Sequence, residues 1–359
     1  MTNQGSGKPL SRARARARRT RGALALPRIA LLAALAAGSG AAWGAAGDLD
    51  ATFGINANGR TLEAFSGVAP LAVAMTQQRD GKLIVTGRSI AANEMFVARF
   101  STDGTPDLTF GADGHVLVPF ASTAGAGFAL LQDPDGKIVV AGQGQTSLGN
   151  YDFAVVRLNG DGSFDTTFGT SGIATFNGGG FDEAAAGLVR QSDGKLVVAG
   201  WSNASGNYNI FFVRFTTTGT LDTTFGSGGV RAVDFGGIDE AHSLTQQADG
   251  SLIAAGLTSS GAGAAANMAI VRVTANGTLD TSFNGTGKQT VAFGALRSSV
   301  ESVVVQPDGK IVLAGSVQDN STTTTTNGIV TSTTDCALAR LNADGTLDMS
   351  FGTAGEVSI

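Results

Sequence analysis

From residue 49 onward the chain repeats itself about every 57 residues, and a period of that length leaves few folds open. The hexad Leu-Asp-x-Thr-Phe-Gly stands at Leu49–Gly54. It recurs at Phe164–Gly169, Leu221–Gly226, Leu279–Asn284 and Leu347–Gly352, with a degenerate copy at Pro106–Gly111. Its aromatic positions are Phe53, Phe110, Phe168, Phe225, Phe283 and Phe351, spaced by 57, 58, 57, 58 and 68 residues. An Asp-Gly-Lys/Ser turn keeps step at Asp80, Asp135, Asp193, Asp249 and Asp308, and each is followed by an apolar run ending at Gly87, Gly142, Gly200, Gly256 or Gly315. The extra ten residues of the last copy fall between Val317 and Asp335, where the Thr-rich run 321–326 reads as an exposed loop.

Each copy supplies about four short strands. In the second, His115–Phe120 alternates, Gly127–Gln132 follows, Asp135-Gly136 makes a hairpin turn, and Lys137–Gly142 and Phe153–Leu158 are apolar. We take these in that order as first to fourth strand. No segment shows ten or more residues of 3.6-residue periodicity, so a helical solenoid is excluded. Gly makes up 52 of 359 residues, about twice its usual share of ~7%, as a turn-rich β protein requires. The expected fold is all-β: a five-bladed β-propeller of four-stranded antiparallel blades, with an open β-solenoid as the alternative. Asn58–Phe65 and Gly355–Ile359 are equivalent strand segments at opposite ends of the repeats. Either one completes a blade begun by the other end, or both compete there.

Residues 1–46 differ from the rest. They carry eight basic residues and no acidic one, then an apolar stretch from Ile29 to Ala37 and small residues around Ala42-Trp43-Gly44. This is the order of a secretory signal, with 47–359 as a single propeller domain. The uninterrupted apolar run is about ten residues, short of the ~20 that span a bilayer. Arg18-Arg19 lacks the residues that complete a twin-arginine signal. Without 1–46, the 24 basic residues fall to 16 against 29 acidic ones, so a net charge of −5 becomes about −13. That balance argues against nucleic acid as a partner. The single Cys336 excludes an internal disulfide framework.

The sequence from hexad through Gln-x-Asp-Gly-Lys and apolar run to Ala/Val-Arg-Leu-Asn-x-Asp-Gly resembles the delta-60 repeat family, over essentially all of Leu49 to Gly352. The third and fourth copies depart from it mildly, with Thr218-Gly219 and Asn276-Gly277 in place of the second Asp-Gly. The resemblance implies bacterial, secreted or surface β-propellers of unknown function, and it carries no catalytic residue to transfer.

Residues present in every copy read as structural, because every blade needs the same joint. Arg99, Arg157, Arg214, Arg272 and Arg340 each sit in an apolar run, where an unpaired cation is costly. The hexad Asp is the natural, bidentate partner: Asp50, Asp107, Asp165, Asp222, Asp280 and Asp348. The hexad Phe is expected between blades rather than against a ligand. Cys336 stands where other copies carry Phe or Met, so it reads as a small core residue.

Candidates for chemistry are fewer. Asn342-x-Asp344-Gly345 resembles the middle of an EF-hand loop, but that register puts Arg340 and Phe351 at ligand positions and defeats it. A Ca2+ site of another kind would use Asp182, Glu183, Asp239 and Glu240, two acidic pairs at similar places in the third and fourth copies; otherwise no cofactor is expected. His115 and His242 are the only His, and no hydrolase or dinucleotide motif is present. Trp201, Tyr151 and Tyr208 mark a candidate binding rim. Length variation concentrates at Ser89–Glu94, Gln143–Asn150, Trp201–Tyr208, Leu257–Asn267 and Ser316–Asp335, between the third and fourth strands of the sequence frame. These loops belong on one face of the ring. The expected function is an exported, monomeric binding or scaffolding module for a protein, peptide or carbohydrate. The alternative is a metal-dependent hydrolase or lactonase-like enzyme with its site in the central channel.

Overall fold

In a computed structural model of the chain, the structure describes residues 49–54, 58–61, 65, 68–120, 124–147, 150–179, 182–204, 206–261, 264–326 and 329–359, with side chains of 319–333 left aside. The leader and the Asn58–Phe65 strand segment fall wholly or partly outside them. Asp50–Ile359 form one compact unit.

The first blade is β1 (Pro70–Gln77), β2 (Leu83–Ser89), β3 (Met95–Phe100) and β4 (His115–Val118). The second is β5 (Gly125–Gln132), β6 (Ile138–Ser147), β7 (Asn150–Leu158) and β8 (Ile173–Phe176). The third is β9 (Glu183–Arg190), β10 (Leu196–Ser202), β11 (Asn209–Phe215) and β12 (Val230–Val233). The fourth is β13 (Ile238–Gln246), β14 (Leu252–Ser259), β15 (Ala266–Val273) and β16 (Lys288–Val291). The fifth is β17 (Ser298–Val305), β18 (Ile311–Thr326), β19 (Ile329–Leu341) and β20 (Glu356–Ser358). Each blade is its own four-stranded antiparallel meander, so the protein is a five-bladed β-propeller and not a continuous solenoid. First strands of adjacent blades pack on one another, from β1 on β5 to β13 on β17, which places them innermost.

Two features differ from the sequence reading. The blade frame is shifted by one strand: His115–Val118 pairs with β3 and closes the first blade instead of opening the second. The variable loops therefore join the second and third strands of each blade. The Thr-rich insertion is not a loop, because β18 and β19 stay paired out to Thr326 opposite Ile329. An alternating Thr-rich run suits a two-stranded ribbon.

The Gly that ends each apolar run has a steric cause. Every first strand has a bulge, as between Ala199 and Gly200 of the third blade's register, and the Gly faces it. A Cβ on Gly200 would sit 1.7 Å from the Ala184 carbonyl oxygen. The equivalent approach is 1.9 Å at Gly142 and 2.0 Å at Gly256. No side chain fits there.

The seams between blades are built from the hexad. Its Asp folds an Asx turn: Asp165 Oδ1 accepts from the backbone N–H of Thr167 at 3.1 Å and from its hydroxyl at 2.6 Å. Because Oδ1 is used this way, the Arg contact is single and not bidentate. Arg Nε lies 2.7–2.8 Å from Asp Oδ2 in the pairs Arg99–Asp107, Arg157–Asp165, Arg214–Asp222, Arg272–Asp280 and Arg340–Asp348. Among the described residues, the Asp50 carboxylate has only its own turn to Thr52. Each of the five guanidinium groups lies over the hexad Phe of its own copy, 4.5–4.8 Å from the ring centre.

Two bonds then cross to the next blade. Arg157 Nη1 donates to the Thr217 carbonyl at 2.8 Å, Arg214 to Ala275 at 2.9 Å and Arg272 to Ala343 at 2.6 Å, and Arg99 donates likewise to Gly160. The last hexad residue donates its N–H to the following carbonyl: Gly111 to Asp161, Gly169 to Thr218, Gly226 to Asn276 and Asn284 to Asp344, at 2.7–2.8 Å. The turn Gly of the next blade lies flat on the Phe. Gly219, at φ +81°, leaves no room for a Cβ, which would stand 3.0 Å from the Phe168 ring. Phe110, Phe168, Phe225 and Phe283 are fully buried as a result.

Burial pushes the Asp165 carboxyl up, but the bonds from Thr167 and Arg157 outweigh it and hold it at about 2. Asp107 and Asp222 are held lower still against the same burial, by Thr109 or Thr224 and a Lys. Carboxyls depressed in the folded state contribute stability that is complete above the usual range near 4 and lost as pH falls through about 2. Asp165→Asn should cost about 3 kcal/mol in urea unfolding at pH 7, by leaving the largely covered Arg157 uncompensated. Asp280→Asn should cost less, because Asp280 has no Lys partner and is more exposed, 19% against 5% for the Asp165 side chain. Equal losses would contradict this account of the joint.

Candidate functional site

Positions shared by all copies build the joints, so a site must come from positions where copies differ. Those differences cluster where the second-to-third-strand loops emerge above the second, third and fourth blades. The first strand of each blade starts at this same end, since Glu183 at the start of β9 pairs with Ser202 at the end of β10.

Glu183 is completely buried, as is Asp239 on β13, and Asp152 on β7 is 1% exposed. Glu183 Oε1 accepts from the Gly178 N–H at 2.8 Å and the Ser202 hydroxyl at 3.1 Å. Asp152 Oδ2 accepts from the Thr146 hydroxyl. Among the described residues, Glu183 Oε2 and Asp152 Oδ1 have no hydrogen-bond partner. Burial raises the Glu183 carboxyl to about 7, and the charge of Asp152 adds to the rise. Burial also raises Asp152 and Asp239. The seam between the second and third blades thus holds two carboxyls in a volume that favours keeping a proton.

The four acidic candidates do not form one constellation. Pairing with β10 and β14 shows that Glu183 is equivalent to Asp239, opposite Ser202 and Thr258, so the two acidic pairs are offset by one residue. A one-residue offset sends a side chain to the other side of a strand. Asp239 turns into the seam, where it accepts from the Phe235 N–H at 2.6 Å and the Thr258 hydroxyl at 2.5 Å. Glu240 instead contacts His242 Nε2 at 3.3 Å. Asp182 accepts from the Tyr151 N–H at 3.1 Å.

The aromatic candidates lie at this loop end. Trp201 and Tyr208 are half-buried and meet edge to face, with ring centres 5.1 Å apart. Tyr151 is half-buried beside Asp152 and occupies in its blade the position of Tyr208, whose carbonyl accepts the Asp239 N–H at 2.8 Å. Trp201 directly precedes Ser202, the Glu183 donor. Aromatic rim and buried acids are therefore one neighbourhood.

A second polar group sits on the inner strands β13 and β17. His242 Nδ1 lies 3.0 Å from the Val300 carbonyl, 3.2 Å from the Ser299 hydroxyl and 3.7 Å from Glu301. Burial lowers the His242 pKa, but Glu240 and Glu301 outweigh it and the net shift is upward. Its counterparts at the bulge are Val73, Phe128 and Ala186 in the first three blades and Glu301 in the fifth, so among the described residues this position is polar in the fourth and fifth blades. Among the described residues no group of three or more His, Cys, Asp or Glu is arranged to hold a metal ion. Asp152 and Glu183 alone fall short of the six to eight oxygens that Ca2+ takes.

Sequence reasoning missed several residues. Asp152 was detectable, because the fifth position before each repeated Arg is polar in every copy: Glu94, Asp152, Asn209, Asn267 and Asp335. The Lys of the Asp-Gly-Lys turn is a further partner of the hexad Asp, at 2.8 Å for Lys82–Asp107 and 2.9 Å for Lys195–Asp222, and Ser251 explains its lack at Asp280. His242 with Glu301 and Ser299 had no signal, since the group spans two copies. Cys336 is a correction: it is exposed. Its counterparts by register, Met95, Phe153, Ile210 and Met268, are fully buried against a following blade, and the fifth blade has none packed on it among the described residues.

Fold and joints define a β-propeller built from one repeated unit. A family model described as a domain of unknown function (DUF5122) β-propeller matches residues 78–110, 134–168, 191–225, 247–283 and 306–351. These stretches together span more than half of the chain, which belongs to this family; each runs from the Asp-Gly turn to the hexad Phe. A search of the curated proteins finds no match. Similar solved structures include the polysaccharide lyase Uly1, 14% identical over 81% of this chain and 73% of that one, with a TM-score of 0.46. The PQQ-bound aldose sugar dehydrogenase from Streptomyces coelicolor is 15% identical over 77% and 83%, at 0.41, and a putative gluconolactonase 14% over 67% and 70%, at 0.35. At such identities and scores these likenesses say nothing of this chain's chemistry. No helix among the described residues is long and apolar enough to cross a membrane.

A carboxyl raised in the folded state makes the native protein bind a proton that the unfolded chain has released. Stability is then lost as pH rises from about 4.5 to about 7 and is level above that. Glu183→Gln should raise stability at pH 8 by about 1–2 kcal/mol, less than the full shift implies because some hydrogen bonding is lost. The gain should vanish below pH 5. A variant that melts below the parent at pH 8 would show that the carboxylate itself is needed there.

Proposed function

We propose that this protein is an exported binding module that holds a carbohydrate on the loop face of its second to fourth blades. The Trp201–Tyr208 pair carries the reading: two half-exposed aromatic rings locked edge to face offer a rigid apolar platform that brings an indole N–H and a phenol hydroxyl as polar handles. Sugar rings present apolar C–H faces and polar rims that match such a surface. Loops on a rigid ring are the part free to vary, which supports binding rather than a conserved reaction. The leader composition supports export, and the finer assignment to delta-60 repeat proteins belongs to the same reading.

A catalytic reading has one observation in its favour, the His242–Glu240–Glu301 group on the inner wall, where a His between carboxylates is placed to move a proton. It concerns a different surface, so the two are separable.

The test is calorimetric titration of residues 47–359 with a panel of neutral hexose and pentose oligosaccharides. Trp201→Ala should weaken any binding at least tenfold, about 1.4 kcal/mol, with the melting temperature little changed. His242→Ala should leave it intact. No saturable signal from any member of the panel, or binding indifferent to Trp201→Ala, would reject the loop-face site.

A further inference from the structure

The chain has five blades but six hexads, and a closed five-membered ring has five seams. The first hexad takes the slot that ring closure needs. Gly54 donates its N–H to the Asp103 carbonyl at 2.6 Å, as Gly111 does to Asp161 one blade later. Gly104 lies against the Phe53 ring, where a Cβ would come within 2.6 Å, as Gly162 lies against Phe110. The first blade is thus capped by a hexad that has no blade of its own among the described residues.

The fifth blade is left open. No packing like that of the other seams joins β17–β20 to β1–β4 among the described residues. Val304 is 53% exposed, while its counterparts Leu131 and Val189 are half-buried, and Cys336 is exposed where four counterparts are buried. Gly352 N–H and Arg340 Nη1, whose counterparts donate across each seam, have no such acceptor among the described residues. On the first blade the complementary face is only partly covered. Met75 is 65% exposed, and a cavity of about 650 Å3 opens between Phe53, Phe65, Leu83 and Val85.

We propose that the open face of the fifth blade docks on the first blade of a second copy of this chain, head to tail. The two faces are the two halves of a joint this sequence already makes four times. The fit extends to single bonds: Phe351 on Gly104, Gly352 N–H to the Asp103 carbonyl and Arg340 Nη1 to the Thr102 carbonyl. The incoming hexad replaces the contacts of Phe53 and Gly54 with equivalent ones and adds the rest of a blade face, so displacement of the cap is downhill. Such a contact joins unlike surfaces, so the rotation it makes decides between a closed ring of copies and an open series.

The test is light scattering of residues 47–359 over a wide concentration range, with the reactivity of the lone Cys336 toward a thiol reagent read on the same samples. Mass should rise in steps of the monomer while Cys336 becomes protected. Phe53→Ala, which loosens the cap, should tighten association about tenfold. Leu338→Asp, which charges the docking face, should abolish it. The thiol readout on the unmodified protein stands even if a variant misfolds. A monomer at all concentrations with Cys336 reactive, for the parent and Phe53→Ala alike, overturns the proposal. A monomer with Cys336 protected overturns it too, since that means closure within one chain.

Discussion

The structure depends on the arginine that each of the first four blades holds at its seam. Removing a guanidinium from water is costly, and the cost is met here by three contacts at once: a carboxylate at Nε, a carbonyl of the next blade at Nη1 and an aromatic face against the plane. Only the first and third belong to the same repeat. The second is supplied by the neighbour, so a correctly folded blade is incomplete alone, and stacking is what satisfies its buried cation. That makes the hexad a connector as well as a turn, and explains why Asp, Phe and Gly recur together: the Asp holds the Arg, the Phe carries it, and the Gly hands a hydrogen bond to the next blade.

How much of this was legible depended on whether a feature is periodic. The period, the five-blade count and the partners Arg and Asp follow from spacing alone. The phase does not: a repeat has no origin, so His115–Val118 was placed at the head of one unit when it hydrogen-bonds as the tail of the one before. Register across a bulge is likewise invisible, because an extra residue in the first strand shifts the pairing by one. The offset of the two acidic pairs was legible: Glu183 stands ten residues before Asp193 as Asp239 does before Asp249, and alternation along the strand turns Glu240 to the other side. Cys336 was misplaced for a third reason. Burial in a repeat protein belongs to the neighbour, and no periodicity says where the last neighbour stops.

Where the copies agree they solve a common mechanical problem, and where they disagree they are released from it. Trp201 and Tyr208 face each other in one blade only, and the first-strand acid occurs in the third and fourth blades where others carry Pro70, Gly125 or Ser298. Those acids are fully buried, and burial raises both carboxyls, which costs stability in the very seam that repetition otherwise optimises. A cost confined to two of five equivalent positions, at the loop end and beside the aromatic pair, marks that end as the part of the ring under a different demand.

Parity sets the final constraint. A repeat array has two unlike ends, and each must be closed, capped or left to find a surface. Here the leading hexad caps one end by copying the contact that a preceding blade would make. Among the described residues the last blade carries the parts of a joint without the neighbour that completes it: the aromatic Phe351, the half-buried Arg340 and the Gly352 N–H. A cap that imitates the partner so closely binds its slot no better, contact for contact, than the partner's own hexad would, and it covers less of the face. Its hold on the first blade therefore rests on being tethered, an advantage of effective concentration that falls away as the competing hexad is brought close.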